Sequence, residues 1–180
     1  MTLLDHIDVV PNFPKEGINF YDIQSLLKKP AIWQQVIDEL VELTKPCNAD
    51  IVVGIESRGF ITGTPVAQAL SLPFGMIRKK GKLPGDLISQ EYALEYGTDT
   101  IEMQKELVTQ GTRVAIMDDL LATGGTMKAT GDMIRKAGGE VVLSTCIIEL
   151  PELGGSAKLD FPFKSLLQAP LDPIATAKSA

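Results

Sequence analysis

The chain carries two adjacent acidic residues followed closely by a glycine-rich turn, in the sequence VAIMDDLLATGGT at residues 114–126. The apolar residues 114–117 form an uninterrupted run, which is typical of a strand covered on both faces. Asp118 and Asp119 would then lie at the carboxyl end of this strand, where open parallel sheets bind their ligands. Carboxylates at that position can bind the hydroxyls of a sugar or a metal ion.

The turn after the acidic pair is suited to an anion. The sequence Thr-Gly-Gly-Thr at residues 123–126 lets the backbone approach a ligand, and the helix that follows begins with N–H groups free to hold a phosphate. Either feature alone is usually a solvated strand end or a plain turn, but together, behind a buried strand, they favour a site for a ribose 5-phosphate. A Walker A motif and a dinucleotide fingerprint are excluded, because no lysine follows the glycines at the required place and the chain has no G-x-G-x-x-G.

Apolar strand patterns alternate with helical patterns, which predicts an α/β fold with a mostly parallel, twisted sheet flanked by helices. The patterns predict helices at residues 31–44, 60–70, 98–108 and 126–137, and strands at residues 51–55, 73–77, 113–117, 140–150 and 165–168. We expect the 180 residues to form a single domain. Residues 79–97 interrupt the alternation and predict a flexible lid loop, within which a strand-like pattern from Glu91 favours a short hairpin.

The composition is that of an acidic globular protein with few residues suited to metal or thiol chemistry. A net charge of −6 argues against nucleic acid as a partner. Without a membrane-spanning apolar run or a signal-peptide pattern, we expect no membrane association and a cytoplasmic location. A single histidine and two cysteines without metal-ligand spacing predict neither a zinc site nor a histidine-based triad.

Basic residues are concentrated just after the predicted strand at residues 73–77. Arg78, Lys79, Lys80 and Lys82 are four of the 17 lysine and arginine residues. Such a cluster is either a solvated turn or a device for binding a small polyanion, and the phosphate site already indicated favours the second.

A second motif, ESRGF at residues 56–60, directly follows the predicted strand at residues 51–55. Its backbone amides and Arg58 would therefore face the same crevice as the acidic pair. An arginine at such a position is more often part of a surface salt bridge. Here a pyrophosphate is the better partner, because a guanidinium group matches paired phosphate oxygens.

These motifs resemble the type I phosphoribosyltransferase family, and DDLLATGGT is most similar to the adenine-specific branch. The resemblance implies transfer of the 5-phosphoribosyl group from 5-phosphoribosyl 1-pyrophosphate (PRPP) to adenine, giving AMP and pyrophosphate in purine salvage. It also implies a homodimer and Mg²⁺ held mainly through substrate oxygens, with few protein ligands. The residues implied at the ribose and its 5′-phosphate are Asp118, Asp119, Ala122, Thr123, Gly124, Gly125 and Thr126.

The resemblance extends to the ESRGF motif and to the lid, where RKKGKLPG is followed by EYALEYGTD. It implies pyrophosphate contacts from Ser57, Arg58, Arg78, Lys79 and Lys82. It also implies that Glu95 is the catalytic acid–base residue. Glu91 remains its competitor, because the alternation of the lid sequence places both glutamates on one side.

The N-terminal region, residues 1–30, contains VVPNFPKEGINFYDI and resembles the base-binding hood of the family. Phe20 occupies the position of an aromatic residue that stacks on the purine, although an ordinary core aromatic is an equally good interpretation. Backbone groups around Ile18 and Tyr21 would then select adenine. Tyr21 is a departure, since many members carry arginine at this position.

Three other functions remain open at this stage. The chain could be a phosphoribosyltransferase for another base, a PRPP-sensing regulatory protein or a general nucleotide-binding module. The lid and hood sequences favour adenine over other bases. A regulator of this kind would be expected to carry a DNA-binding module or a basic surface, and the acidic sequence shows neither.

Overall fold

The computed structural model describes residues 2–93 and 97–172, and its central feature is a mixed sheet. Within these residues the sheet has eight strands: β3 (Ile51–Ile55), β4 (Phe74–Lys79), β5 (Leu87–Ala93), β6 (Thr98–Gln104), β7 (Arg113–Met117), β8 (Leu120–Leu121), β9 (Glu140–Glu149) and β10 (Phe163–Gln168). A separate N-terminal hairpin pairs β1 (Asp8–Pro11) with β2 (Asn19–Asp22). The helices are α1 (Gln24–Leu27), α2 (Pro30–Thr44), α3 (Gly59–Leu70) and α4 (Gly125–Lys136).

The order of the strands places the predicted functional motifs beside one another. The sheet runs β10-β9-β7-β3-β4-β6-β5, and β8 pairs with β9 outside this path. Strands β10, β9, β7, β3 and β4 are parallel, whereas β6 is antiparallel to β4 and β5. The carboxyl ends of β7, β3 and β4 therefore lie side by side at one edge. The predicted mostly parallel sheet is confirmed.

Both faces of the sheet are buried because helices pack against each side. Residues of β3 and β7 alternate between two apolar clusters: Val52 and Ala115 belong to one, and Val53 and Ile116 to the other. Helices α2 and α3 contribute to the first cluster and α4 to the second. Each fully buried side chain of this kind contributes roughly 1.5–3 kcal/mol. The strand ends that carry the polar motifs are thus fixed by the most deeply buried part of the fold.

The prediction of a helix at residues 98–108 is wrong. Thr98–Gln104 form β6, and only a turn follows at residues 105–108. Ile101 and Met103 are buried, and so is Glu102 between them, because its carboxylate accepts hydrogen bonds from the Gly81 N–H at 2.8 Å and the Ser89 hydroxyl at 3.3 Å. Pairing with strands on both sides overrides the helical propensity of this sequence.

The other predicted elements are present, with ends that differ by a few residues. The predicted helix at residues 31–44 begins one residue earlier, at Pro30, which is a favourable residue for a first helical turn. The strand-like pattern predicted from Glu91 is confirmed as part of β5, which begins at Leu87. The hairpin is not contained within residues 79–97 as predicted, because β5 pairs along its length with β6 at Thr98–Gln104. Within the described residues, none of the helices has both the length and the apolarity needed to cross a membrane.

Candidate active site

The loop at residues 122–126, here called the phosphate loop, connects β8 to α4 at the carboxyl edge of the sheet. Gly124 precedes the helix with a φ of 79°, a left-handed conformation that favours glycine. Lys128 donates its N–H to the Gly124 carbonyl at 2.9 Å, so the N–H groups of the preceding turn have no helical partners. Such free groups bind anions. They border a cavity lined by Asp118, Leu120, Leu121, Ala122, Thr123, Gly124, Gly125, Thr126 and Met127.

The acidic pair lies between the end of β7 and the phosphate loop. Asp119 is 3% exposed, and its Oδ2 is 2.5 Å from Nε of Arg58. Burial works against the charge of Arg58, but the Asp119 carboxylate outweighs that effect and raises the pKa of Arg58. Burial and the neighbouring Asp119 raise the pKa of Asp118 well above its ordinary range. A ligand that brings hydroxyl hydrogens or a cation to Asp118 therefore relieves an electrostatic repulsion.

A second depression borders the same acidic pair and receives residues from three strand ends. It is lined by Glu56, Ser57, Arg58, Lys79, Lys82, Asp118, Asp119 and Leu120. The structure thus brings four of the five residues predicted to bind pyrophosphate to the residues predicted to bind the ribose. The peptide bond between Glu56 and Ser57 is cis.

Arg78, the fifth predicted residue, is held beside this depression by Glu56. Its Nε lies 3.3 Å from Oε2 of Glu56, and the Lys79 N–H donates to the same oxygen at 3.0 Å. The other oxygen, Oε1, is paired with Lys82. Burial opposes ionisation of Glu56, but the hydrogen bonds from Lys82 and Lys79 lower its pKa overall. Glu56 therefore keeps its charge and gathers the basic residues at one place.

A chain of hydrogen bonds connects the base of the lid to the phosphate loop. Lys79 pairs with Asp99, with Nζ 3.0 Å from Oδ2. The same carboxylate oxygen accepts a long hydrogen bond from the Tyr92 hydroxyl at 3.4 Å, and Thr126 donates to Tyr92 at 3.2 Å. Hydrogen bonding to Lys79 lowers the pKa of Asp99. Lys79 and Thr126, which are predicted to bind opposite ends of PRPP, are thus linked through side chains of β5 and β6.

The aromatic ring of Phe20, on β2 of the N-terminal hairpin, contacts Arg58 of the site. The ring packs edge-to-face against Phe13, with centroids 5.2 Å apart. The guanidinium carbon of Arg58 lies 5.3 Å from the Phe20 centroid, which is within the range of a cation–π contact. Phe20 is half-buried and belongs to neither apolar cluster of the described residues. The structure therefore disfavours the interpretation of Phe20 as an ordinary core aromatic.

The other two residues predicted to bind adenine differ in exposure. Ile18 is 45% exposed, and its carbonyl accepts a hydrogen bond from the Phe13 N–H at 3.1 Å. The Tyr21 side chain is buried, and its hydroxyl donates to the Pro170 carbonyl at 2.5 Å. The side chain of Tyr21 therefore anchors the hairpin to the C-terminal part of the chain. The predicted contact of Tyr21 with adenine therefore involves only the backbone of this residue.

The family of the chain is indicated by a comparison with family models. The model for the phosphoribosyl transferase domain matches residues 22–168. The chain belongs to this family. The adenine phosphoribosyltransferase of Rhodospirillum rubrum is 51% identical over 167 residues, which are 93% of this chain and 98% of that protein.

Solved structures give the same result for the fold. The crystal structure of adenine phosphoribosyltransferase from Thermoanaerobacter pseudethanolicus matches with a TM-score of 0.90 and 41% identity, covering 93% of this chain and 100% of that one. The enzyme from Saccharomyces cerevisiae, complexed with adenine and an imino-altritol bisphosphate, matches with a TM-score of 0.87 and 38% identity, covering 92% and 96%. This phosphoribosyl transferase therefore has the predicted type I fold.

Replacing Tyr21 with Phe is expected to lower the free energy of unfolding of this phosphoribosyl transferase by about 1–2 kcal/mol at neutral pH, because a buried hydrogen bond is lost. Burial raises the pKa of Tyr21 to about 12, whereas an unfolded tyrosine ionises near pH ~10. The protonated hydroxyl thus contributes fully below pH ~10, and its contribution is lost as the pH rises through the folded pKa.

Urea unfolding of wild type and Tyr21→Phe at a series of alkaline pH values tests this expectation. The difference between their unfolding free energies should shrink above pH ~10. A difference that stayed constant through that range would contradict the assigned role of the hydroxyl.

Three features of the site were not predicted from the sequence. They are the role of Glu56 in gathering basic side chains, the contacts of Tyr92 and Asp99, and the contact of Arg58 with Phe20. The position of Glu56 directly after a buried strand was a signal for the first, but its partners were not evident. The predicted acid–base residue Glu95 lies outside the described residues, whereas its competitor Glu91 lies on β5 and is exposed.

Proposed function

We propose that this phosphoribosyl transferase transfers the 5-phosphoribosyl group from PRPP to adenine, with AMP and pyrophosphate as products. One observation carries the proposal: Asp118 lines both the cavity of the phosphate loop and the depression that holds Ser57, Arg58, Lys79 and Lys82, and Asp119 lines that depression beside it. A ligand with a phosphate at one end, a sugar in the middle and a pyrophosphate at the other fits this order. The relatives named adenine phosphoribosyltransferase support adenine as the acceptor.

The proposed roles follow the order of charges across the site. The N–H groups of the phosphate loop bind the 5′-phosphate, and Asp118 and Asp119 accept hydrogen bonds from the ribose hydroxyls. Ser57, Arg58, Lys79 and Lys82 bind the pyrophosphate, and Arg78 supports them through Glu56. The half-buried ring of Phe20 provides a surface on which the flat purine can stack, a contact worth roughly 1–3 kcal/mol.

The reaction breaks the bond between the anomeric carbon of the ribose and a pyrophosphate oxygen, and forms a bond from that carbon to N9 of adenine. Negative charge then develops on the leaving pyrophosphate, and positive charge on the sugar in an oxocarbenium-like transition state. Arg58, Lys79 and Lys82 stabilise the negative charge on the pyrophosphate, and the adjacent aspartates stabilise the positive charge on the sugar. Glu95 is the proposed residue for the proton that N9 loses.

Mg²⁺ is the proposed cofactor. Asp118 and Asp119 supply the carboxylate oxygens that this ion prefers, and no group of three or more potential ligands occurs within residues 2–93 and 97–172. The donor set thus fits an ion that completes its shell with substrate oxygens and water. When bound, Mg²⁺ would neutralise charge on the pyrophosphate.

We further propose that the protein is a cytoplasmic homodimer acting in purine salvage, as its family resemblance implies. Light scattering coupled to size-exclusion chromatography tests the oligomeric state. A mass close to 19.4 kDa, that of one chain, would contradict a homodimer.

Incubation with PRPP, Mg²⁺ and each common purine base in turn tests the proposed reaction. We expect AMP and pyrophosphate from adenine, and little nucleotide from hypoxanthine or guanine. Preferred use of another base would contradict the proposed acceptor. Tight binding of PRPP without release of pyrophosphate would instead identify a PRPP-sensing protein.

A further inference from the structure

A short segment between β9 and β10, residues 154–158, packs against the back of the phosphate loop, and we call it the strap. Gly155 is buried there, and a Cβ atom at this position would lie 2.2 Å from the Ala122 carbonyl oxygen. In the opposite direction, a Cβ atom on Gly124 would lie 2.6 Å from the Gly155 carbonyl oxygen. Two backbones without side chains between them are therefore in direct contact. The phosphate loop cannot move toward the strap.

Lys158, at the end of the strap, holds the phosphate loop by a hydrogen bond. Its ammonium group donates to the Thr123 carbonyl oxygen at 2.8 Å. Lys158 is exposed and does not line the cavity of the phosphate loop. It therefore contacts the loop from outside the cavity.

The geometry of the peptide bond connects this contact to the cavity. In a trans peptide the N–H points opposite to the carbonyl of the same peptide plane. When the Thr123 carbonyl points toward Lys158, the Gly124 N–H must point away from Lys158. A positive charge on the carbonyl side also polarises the peptide and strengthens the N–H as a donor.

The chain directly after the strap, at Asp160 and Phe161, is fixed to the helix that begins at the phosphate loop. Both carboxylate oxygens of Asp160 accept hydrogen bonds from the Arg135 guanidinium, at 2.8 and 2.9 Å. The same guanidinium lies over the ring of Phe161, 5.8 Å from its centroid. Because Arg135 belongs to α4, these contacts connect the end of the strap to the helix that follows the phosphate loop.

We propose that Lys158 is a positioning residue for phosphate binding, which orients the Thr123–Gly124 peptide so that its N–H is presented to the 5′-phosphate of the substrate. The inference rests on the proposed function for the identity of the ligand. It assigns a role to a surface lysine that lies more than thirty positions along the chain from the phosphate loop.

The Lys158→Met variant tests the binding of the two ends of the substrate separately. AMP carries the 5′-phosphate, whereas pyrophosphate occupies the other end of the site. We expect the Kd for AMP and the KM for PRPP to rise about tenfold, as the loss of a hydrogen bond from a charged group predicts. The Kd for pyrophosphate and the KM for adenine should stay within about twofold, because the contacts of those ligands are unchanged.

Two further variants serve as controls. Lys158→Arg retains a cationic donor and should recover most of the affinity for AMP. Lys164→Met removes another exposed lysine, on β10, and should bind AMP as the wild type does. Isothermal titration of AMP at low and high salt completes the test. Interactions between charges more than about 10 Å apart are screened at 0.1 M salt, whereas a direct hydrogen bond persists.

Several outcomes would overturn the inference. They are unchanged AMP binding by Lys158→Met, an equal loss for AMP and pyrophosphate, and a loss that disappears at high salt. Failure of the wild type to form AMP would instead contradict the proposed function. The two failures are distinguishable, because the wild-type assay does not depend on the variants.

Discussion

Replacing Arg58 with Met is expected to lower kcat/KM by roughly a hundredfold to a thousandfold, the range for losing a preorganised group that stabilises developing charge. Arg58 pairs with Asp119 through Nε at 2.5 Å and lies over the ring of Phe20. The substitution thus removes a proposed pyrophosphate ligand and also a contact to the N-terminal hairpin. It leaves the carboxylate of Asp119, which is 3% exposed, without its cationic partner.

Steady-state kinetics and urea unfolding measure these effects separately. Loss of the ion pair should lower the free energy of unfolding by about 1–3 kcal/mol, since a buried acceptor is left unpaired. Arg58→Lys keeps the charge but not the forked geometry, so we expect an intermediate activity. Arg113→Met removes a half-buried arginine that pairs with Glu140 and donates to the Cys47 and Asn48 carbonyls, none of which belongs to the candidate site, and its kcat/KM should stay close to that of the wild type. Near-normal activity of Arg58→Met would remove Arg58 from the proposed mechanism.

Glu95→Gln is expected to lower kcat by roughly a hundredfold or more, the usual contribution of a positioned acid–base group. The KM for PRPP should change little, because the proposed role of Glu95 concerns only the proton on the purine. Single-turnover measurements with saturating PRPP would isolate this step.

Glu91→Gln is the matched control for this experiment. Glu91 lies on β5, where its residue is paired in register with Thr100 and its side chain is exposed. We expect this variant to retain most of its activity. A large loss in Glu91→Gln together with an active Glu95→Gln would transfer the acid–base role to Glu91.

The central sheet could be predicted because its strands are defined by local sequence. The run at Ile51–Ile55 and residues 114–117 of β7 contain no charged or polar side chain, and such runs occur where both faces of a strand are covered. The prediction of a helix at residues 98–108 is wrong for the opposite reason. The structure of Thr98–Gln104 depends on pairing with β4 and β5, which is a property of the fold and not of the segment.

The candidate site likewise has a part that could be predicted from the sequence and a part that could not. Asp118, Asp119 and the phosphate loop are contiguous, so their order along the chain already described a site. The contacts of Glu56 with Lys82 and of Lys158 with Thr123 join residues 26 and 35 positions apart. Neither segment contains a pattern that specifies its partner, because such pairs are set by where the strands end in space.

The basic cluster at the end of β4 has an electrostatic character that its composition does not reveal. Arg78 and Lys82 both pair with the Glu56 carboxylate, and Lys79 pairs with the Asp99 carboxylate. The two carboxylates offset part of the charge of the four basic residues, and the remainder is screened beyond the Debye length, about 8 Å at physiological ionic strength. A long polyelectrolyte passing over the surface therefore experiences little pull toward this region. Only a small multivalent anion can enter among the side chains and replace the carboxylates as the counter-ion of the basic residues. Selection between anions therefore depends on their size as much as on their charge.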